Sequence, residues 1–245
     1  MRGNMSKKLM AVLLVAAPML AQAADNKAAF VIAAYGDSTT AGVISSGGRN
    51  IITKNNEMNY LHQMLKDKYG EGIQLKNHGS PGAQAAELVY SQDNKPHLDW
   101  AERMAKSDAN MILLNYGIND ARIYFFKDKK AHQESPEEYK RIMTELVKVA
   151  KANNKLVVLQ EPNPICGRAE RWNVWPYVYQ LNEVAKEQQV PIVKQFSLIK
   201  ENRDWQSEMS PDCIHPSEML YKQKAQRTFD VLSATFDSAL SKHSS

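Results

Sequence analysis

Two cysteines are all that this 245-residue chain contains, and its six histidines, His62, His78, His97, His132, His215 and His243, stand at no close ligand spacing with each other or with Cys166 and Cys213. A zinc site is not written in such a pattern, and no metal is expected. A Gly-x-Ser-x-Gly elbow, a Walker phosphate loop and a Gly-x-Gly-x-x-Gly fingerprint are also absent. That excludes the usual signatures of an α/β-hydrolase elbow and of nucleotide binding. No stretch approaches twenty consecutive apolar residues, so no segment is written to span a bilayer as a helix. No Pro/Gly/Ser-rich linker divides the chain and no internal repeat occurs. Lys and Arg form no clustered stripe of the kind that binds nucleic acid. What is present, 43% hydrophobic and 24% charged residues, is the composition of a soluble globular protein. At this length one core suffices.

The first two dozen residues read differently from the rest. Arg2, Lys7 and Lys8 precede an apolar run over 9–20 and a small-residue site, Ala21-Gln22-Ala23. This is the three-part plan of a secretory signal peptide, with cleavage expected near Ala23/Ala24. The run of twelve is too short for a membrane-spanning helix. Residues 1–23 carry three basic and no acidic side chains, so the formal charge of the mature chain falls from +4 to +1. The expectation is a signal peptide over 1–23, a single domain over 24–245, and a periplasmic or secreted protein.

Along the mature chain, short unbroken apolar runs alternate with helix-period segments. Strands are expected at 30–35, 73–76, 111–115, 156–160 and 192–194, each continuous in the way of strands buried on both faces. Ser135-Pro136-Glu137-Glu138 reads as a capping box, after which Tyr139, Ile142, Met143, Leu146 and Val149 share one helix face. Tyr221, Ala225, Phe229, Leu232, Phe236 and Leu240 mark a last helix. Such alternation implies a parallel sheet covered on both faces, with binding groups at the carboxyl ends of its strands.

The predicted strand ends are where the polar motifs stand. The first runs into Gly36-Asp37-Ser38-Thr39, the second into Asn77-His78-Gly79-Ser80-Pro81-Gly82 and the third into Gly117-Ile118-Asn119-Asp120, while Asp212-Cys213-Ile214-His215-Pro216 precedes the last helix. Taken together, in this order, the four blocks resemble the SGNH/GDSL hydrolase family, and most closely its small bacterial esterases of the thioesterase and lysophospholipase type. Thr39 departs from the Leu that many members carry there. The resemblance implies a three-layer α/β/α sandwich with a central parallel sheet, flavodoxin-like, and an activity that needs no cofactor. Carried over residue by residue, it makes Ser38 the nucleophile, Asp212 and His215 its partners, and Ser38, Gly82 and Asn119 the oxyanion-binding groups. Gly79 is the other candidate for the glycine.

The residue types suit that chemistry. A serine hydroxyl attacks poorly at neutral pH until an imidazole takes its proton, and a carboxylate on the far ring nitrogen fixes the tautomer and steadies the imidazolium. Asp37 and Asp120 read as turn-stabilising groups, and His78 as structural or exposed. The expected substrate is a small-molecule, carbohydrate or lipid ester. Short acyl or O-acetyl esters are favoured because the segment 44–57 is a Ser/Gly/Asn-rich loop; long acyl chains, as for a lysophospholipase or thioesterase, are the alternative. A noncatalytic sugar-binding or scaffold domain is the alternative of another class. Arg168, Arg171, Trp172 and Trp175, in 167–176, either line an acceptor site with 44–57 or form a solvated loop and a Trp-anchored helix start. Finally, Cys166 and Cys213 are expected to form a disulfide, since an exported chain meets an oxidising compartment and Cys166 follows a strand end facing the Asp212–His215 loop.

Overall fold

Side chains alternate across a strand, so a strand that is apolar at every position must be covered on both faces. The computed structural model, which describes residues 28–90 and 99–242, shows this arrangement. The signal-peptide segment and the residues His97 and His243 lie outside the described residues. Strand β1 (Phe30–Gly36) is buried along its whole length. Its Phe30, Ile32 and Ala34 pack on one side of the sheet while Val31, Ala33 and Tyr35 pack on the other. After the one-turn helix α1 (Ser38–Ala41) come the short strands β2 (Val43–Ser46) and β3 (Arg49–Ile52), helix α2 (Glu57–Tyr69) and strand β4 (Ile73–Gly79). Helix α3 (Trp100–Lys106), strand β5 (Met111–Asn115), helices α4 (Ile118–Phe126) and α5 (Pro136–Ala152) and strand β6 (Leu156–Gln160) follow. The chain closes through α6 (Trp175–Gln188), β7 (Ile192–Val193), α7 (Gln195–Glu201) and α8 (Glu218–Ser241).

Five strands form one parallel sheet in the order β4-β1-β5-β6-β7. This is the flavodoxin-like order, in which the second strand of the sheet turns back beside the first and the rest continue on the other side. Helices α2 and α8 cover one face through Met58, Leu61, Leu65, Ala225 and Leu232. Helices α3, α5 and α6 cover the other through Trp100, Met104, Ile142, Leu146 and Leu181. The stripe expected on α5 is extended by buried Val147 and Ala150, leaving Val149 at its margin. The cap is half of what the sequence implies: Ser135 Oγ accepts from Glu138 N–H at 3.2 Å, but the Glu138 carboxylate turns to Arg141 instead. No helix among the described residues is long and apolar enough to cross a membrane.

Two expectations need correction. The strand expected at 73–76 continues through Asn77, His78 and Gly79, because β1 offers hydrogen-bonding partners along its whole length. The segment 44–57 is a β-hairpin and not a loop: β2 pairs antiparallel with β3 across Gly47-Gly48, whose φ values of +56° and +74° are those of a two-residue hairpin turn. Tyr221 Oη donates to Val43 O at 2.7 Å, and Glu218 accepts from Thr53 and Asn55, so helix α8 pins the base of the hairpin.

One ion pair is sealed between α2 and α8. Lys224 Nζ lies 3.1 Å from Glu57 Oε2 and both side chains are fully buried, while Gln160 and Thr228 donate to Glu57 Oε1 at 2.6 and 3.0 Å. Removing one partner strands the other charge away from water, so Lys224→Met should cost about 3–5 kcal/mol of unfolding free energy by urea titration, and the double variant Glu57→Gln/Lys224→Met should recover much of it. A double variant no more stable than the single would show that the ammonium is not what balances Glu57.

Candidate active site

The sheet ends at one level. Gly36 is in register with Gly79 on one side and with Asn115 on the other, so β1, β4 and β5 release the chain side by side. Just past β1, buried Asp37 accepts from Thr39 N–H at 2.7 Å and from Thr39 Oγ1 at 2.8 Å, capping α1 and setting Ser38 at its first position. Burial raises the Asp37 carboxyl pKa, opposed by the two Thr39 hydrogen bonds. Asn77 Nδ2 donates to Thr40 O at 2.8 Å, fastening the end of β4 to the same turn.

Ser38 meets the loop that precedes α8. His215 Nε2 lies 2.8 Å from Ser38 Oγ, and His215 Nδ1 lies 2.5 Å from Asp212 Oδ2. The other Asp212 oxygen accepts from the N–H groups of Ile214 and His215, each at 3.0 Å. Partial burial alone would raise this carboxyl, but the ring and the two backbone donors outweigh it and hold Asp212 below its ordinary value. The loop is itself tied down: Ser210 N donates to His215 O at 2.8 Å, Asn163 Nδ2 to Ile214 O at 3.0 Å, and Cys166 N to Cys213 O at 2.8 Å. Cys166 and Cys213 are joined in a disulfide.

Ser38, Gly82, Asn119 and His215 line one cleft of about 480 Å³, with Val43, Asn50, Ile51, Ile52, Pro81, Arg122, Trp172 and Ile214. Gly79 is placed elsewhere: a Cβ there would sit 2.2 Å from Ala41 N, so it lets β4 pack against the serine turn. Gly82 has open space beside it and is glycine for another reason, a φ of +86°. Asn119 Nδ2 donates to Ala83 O at 3.1 Å, which fixes the amide and leaves its second hydrogen for another acceptor. Asp120 turns away from the cleft and accepts from Gly117 N–H at 2.8 Å and Ala85 N–H at 2.9 Å, stitching the two loops together. His78 stacks on Tyr35 with ring centroids 4.7 Å apart and is not part of the cleft wall.

The aromatic and basic residues of 167–176 separate. Trp172 lines the cleft. Arg171 belongs with Phe125 and Tyr177 to a neighbouring concavity. Trp175 opens α6 and packs on Phe196, and Arg168 is exposed and does not line the cleft. Three groups escaped the sequence reading. Arg122 follows Asn119 by three residues on α4, a spacing that puts both on one helix face and could have been used. The hairpin's Ile51 and Ile52 were hidden by the polar look of their segment. Glu134, which accepts from Ala86 N–H at 3.0 Å and lies beside Asp120, carries no local motif.

A scan against protein-family models matches residues 34–223 to the GDSL-like lipase/acylhydrolase family. The chain belongs to that family. It is a GDSL-type carboxylic ester hydrolase, as the resemblance in the sequence implies. A search of the curated proteins finds no match. Solved structures with the same fold include an acetylxylan esterase from Geobacillus stearothermophilus, with 22% identity, a TM-score of 0.64 and coverage of 84% of this chain and 94% of that one. A lipase/acylhydrolase from Enterococcus faecalis superposes with a TM-score of 0.64 at 15% identity, covering 84% of this chain and 96% of that one. At such identities the likeness is one of fold.

Two predictions follow from the site's supports. Burial pushes the Glu134 carboxyl upward, with Asp120 beside it adding to the shift. A carboxyl raised in the folded state keeps a proton that the unfolded chain has released, so stability falls as pH rises above the ordinary carboxylate range. Glu134→Gln keeps the shape without the titration, and its melting temperature between about pH 6 and 9 should fall less steeply than that of the wild type; parallel slopes would show that Glu134 is not the group responsible. The disulfide closes a chain separation of 47 residues. Replacing both cysteines by serine should lower stability by up to about 4 kcal/mol in denaturant titration. It should also cost activity at temperatures where the variant is still folded, because the bond holds the His215 loop to the segment that follows β6.

Proposed function

We propose that this family member is an exported serine esterase working through Ser38, His215 and Asp212, on short acyl or O-acetyl esters. The observation that carries the reading is the unbroken hydrogen-bonded run from Ser38 Oγ through both ring nitrogens of His215 to Asp212. In this mechanism Ser38 Oγ attacks the ester carbonyl carbon while His215 Nε2 takes its proton. Asp212, held ionised by its three donors, stabilises the imidazolium. The backbone N–H groups of Ser38 and Gly82 and the Asn119 amide receive the developing oxyanion, where fixed donors do most for the rate. Collapse expels the alcohol with the proton from His215, and water then releases the acyl group by the same steps in reverse roles.

Export is supported by the leader pattern over 1–23, by the paired cysteines and by the lack of a membrane-spanning helix among the described residues. On this reading 24–245 is one mature domain. Small acyl groups are supported by the modest volume of the cleft and by the fold likeness to an acetylxylan esterase. One observation favours longer acyl chains instead: Ile51 and Ile52, on the cleft wall, are 48% and 63% exposed.

The test compares wild type with Ser38→Ala on esters from acetyl to palmitoyl, together with acetylated polysaccharide and lysophospholipid. Ser38→Ala should fold normally, lose nearly all turnover and no longer react with a fluorophosphonate; retained turnover, free of contaminants, ends the proposal. Asn119→Ala should lower kcat by about a hundred- to a thousandfold. A rise in KM alone would make Asn119 a ground-state contact.

A further inference from the structure

Among the described residues, the cleft holds one cation that nothing in the proposed mechanism uses. Arg122 lines it together with Ser38, Asn119 and His215. Helix α4 explains how: Asn119 and Arg122 are three residues apart, so they lie on one face with Arg122 about 4.5 Å further along the helix axis. The Arg122 guanidinium sits 5.9 Å from the centroid of Trp172, and Trp172 is in turn buttressed edge-on by Phe126 at 6.3 Å.

Among the described residues the guanidinium makes no hydrogen bond and no ion pair, in contrast to Arg141, which is engaged by Glu138. Asp128, which lines a concavity with Arg122, accepts from the Lys130 N–H at 3.0 Å and forms no ion pair with Arg122. A flat cation backed by an aromatic face is held in orientation without using its N–H donors, which stay free for a planar anion. An exposed arginine in a random surface position would have no such backing and no shared wall with a nucleophile.

We propose that Arg122, backed by Trp172, is an anion-binding subsite of the cleft, selecting esters that carry a carboxylate or similar oxyanion about one helical turn from the carbonyl under attack. The inference rests on the Ser38 reading for its account of where the carbonyl lies. A guanidinium–carboxylate pair of this kind is expected to favour a charged ester over its neutral isostere by about tenfold or more. The preference should shrink as salt is added, since the site is open to solvent.

Two matched pairs of esters test it and locate the anion. para-Acetoxybenzoate against para-acetoxybenzamide puts the charge on the alcohol side; nitrophenyl hemisuccinate against nitrophenyl succinamate puts it on the acyl side. In the wild type the charged member of one pair should have the higher kcat/KM by about tenfold or more. In Arg122→Gln that ratio should fall towards one, with Arg122→Lys intermediate because it keeps the charge without the planar fork. No charge preference in either pair, an unchanged ratio in Arg122→Gln, or an equal loss on both members of a pair would overturn the proposal. Binding of para-acetoxybenzoate to Ser38→Ala by calorimetry separates the two readings. Affinity for the charged compound that Arg122→Gln abolishes in that background upholds the subsite even if Ser38→Ala retains turnover, and equal affinity for acid and amide removes the subsite while leaving the Ser38 reading intact.

Discussion

Because Gly36 lies opposite both Gly79 and Asn115, three parallel strands end together, and the loops that follow them have nowhere to go but the same edge of the sheet. Each loop then needs its own device to bring a polar group to the cleft. After β1 it is the Asp37 cap on a single helical turn; after β4 it is a left-handed Gly82; after β5 it is the start of α4. The parallel register therefore places the groups, and the turns aim them. This is the general property of open parallel sheets, whose crevices form beyond the carboxyl ends of the strands.

Aiming them takes polar groups out of water, and the chain compensates in two ways. Asp212 is only partly buried and receives three hydrogen bonds, so its charge is favoured and it can face His215 as a carboxylate. Asp120 and Glu134 are deeply buried and hold three backbone N–H groups between them, yet both carboxyls are pushed towards the protonated form by desolvation. Two neighbouring buried carboxyls cannot both ionise at low cost, and their bonds to the N–H groups of Ala85, Ala86 and Gly117 make them a structural staple. The staple joins the loop that carries Gly82 to the helix that carries Asn119 and Arg122.

The strands were legible because strands buried on both faces leave unbroken apolar runs. Those at 111–115 and 156–160 have the observed limits, and β1 extends one residue further. β4 was underestimated because its last three residues, Asn77, His78 and Gly79, look like a turn and are recruited by pairing with β1, a long-range partner that no local pattern reports. The hairpin was read as a loop for a related reason: its strands are short, and Ser45, Ser46 and Asn50 dilute the alternation that Gly47-Gly48 should have framed. In the cleft, Ser38, Gly82, Asn119 and His215 were visible as motif residues. Arg122, Ile51 and Ile52 belong to no motif, and their place is set by helix phase and by the way α8 pins the hairpin.

That hairpin also bears on what the cleft accepts. Its base is clamped by Tyr221 and Glu218 from α8, while nothing lies within 4 Å of where side chains at Gly47 and Gly48 would stand. The cleft therefore draws apolar side chains, Ile51 and Ile52, from the clamped hairpin and a cation, Arg122, from α4, together with Trp172. The wall thus mixes apolar side chains with a cation. Helix α8 ties this wall to the His215 loop, since Glu218 and Tyr221, which hold the hairpin, follow His215 by three and six residues.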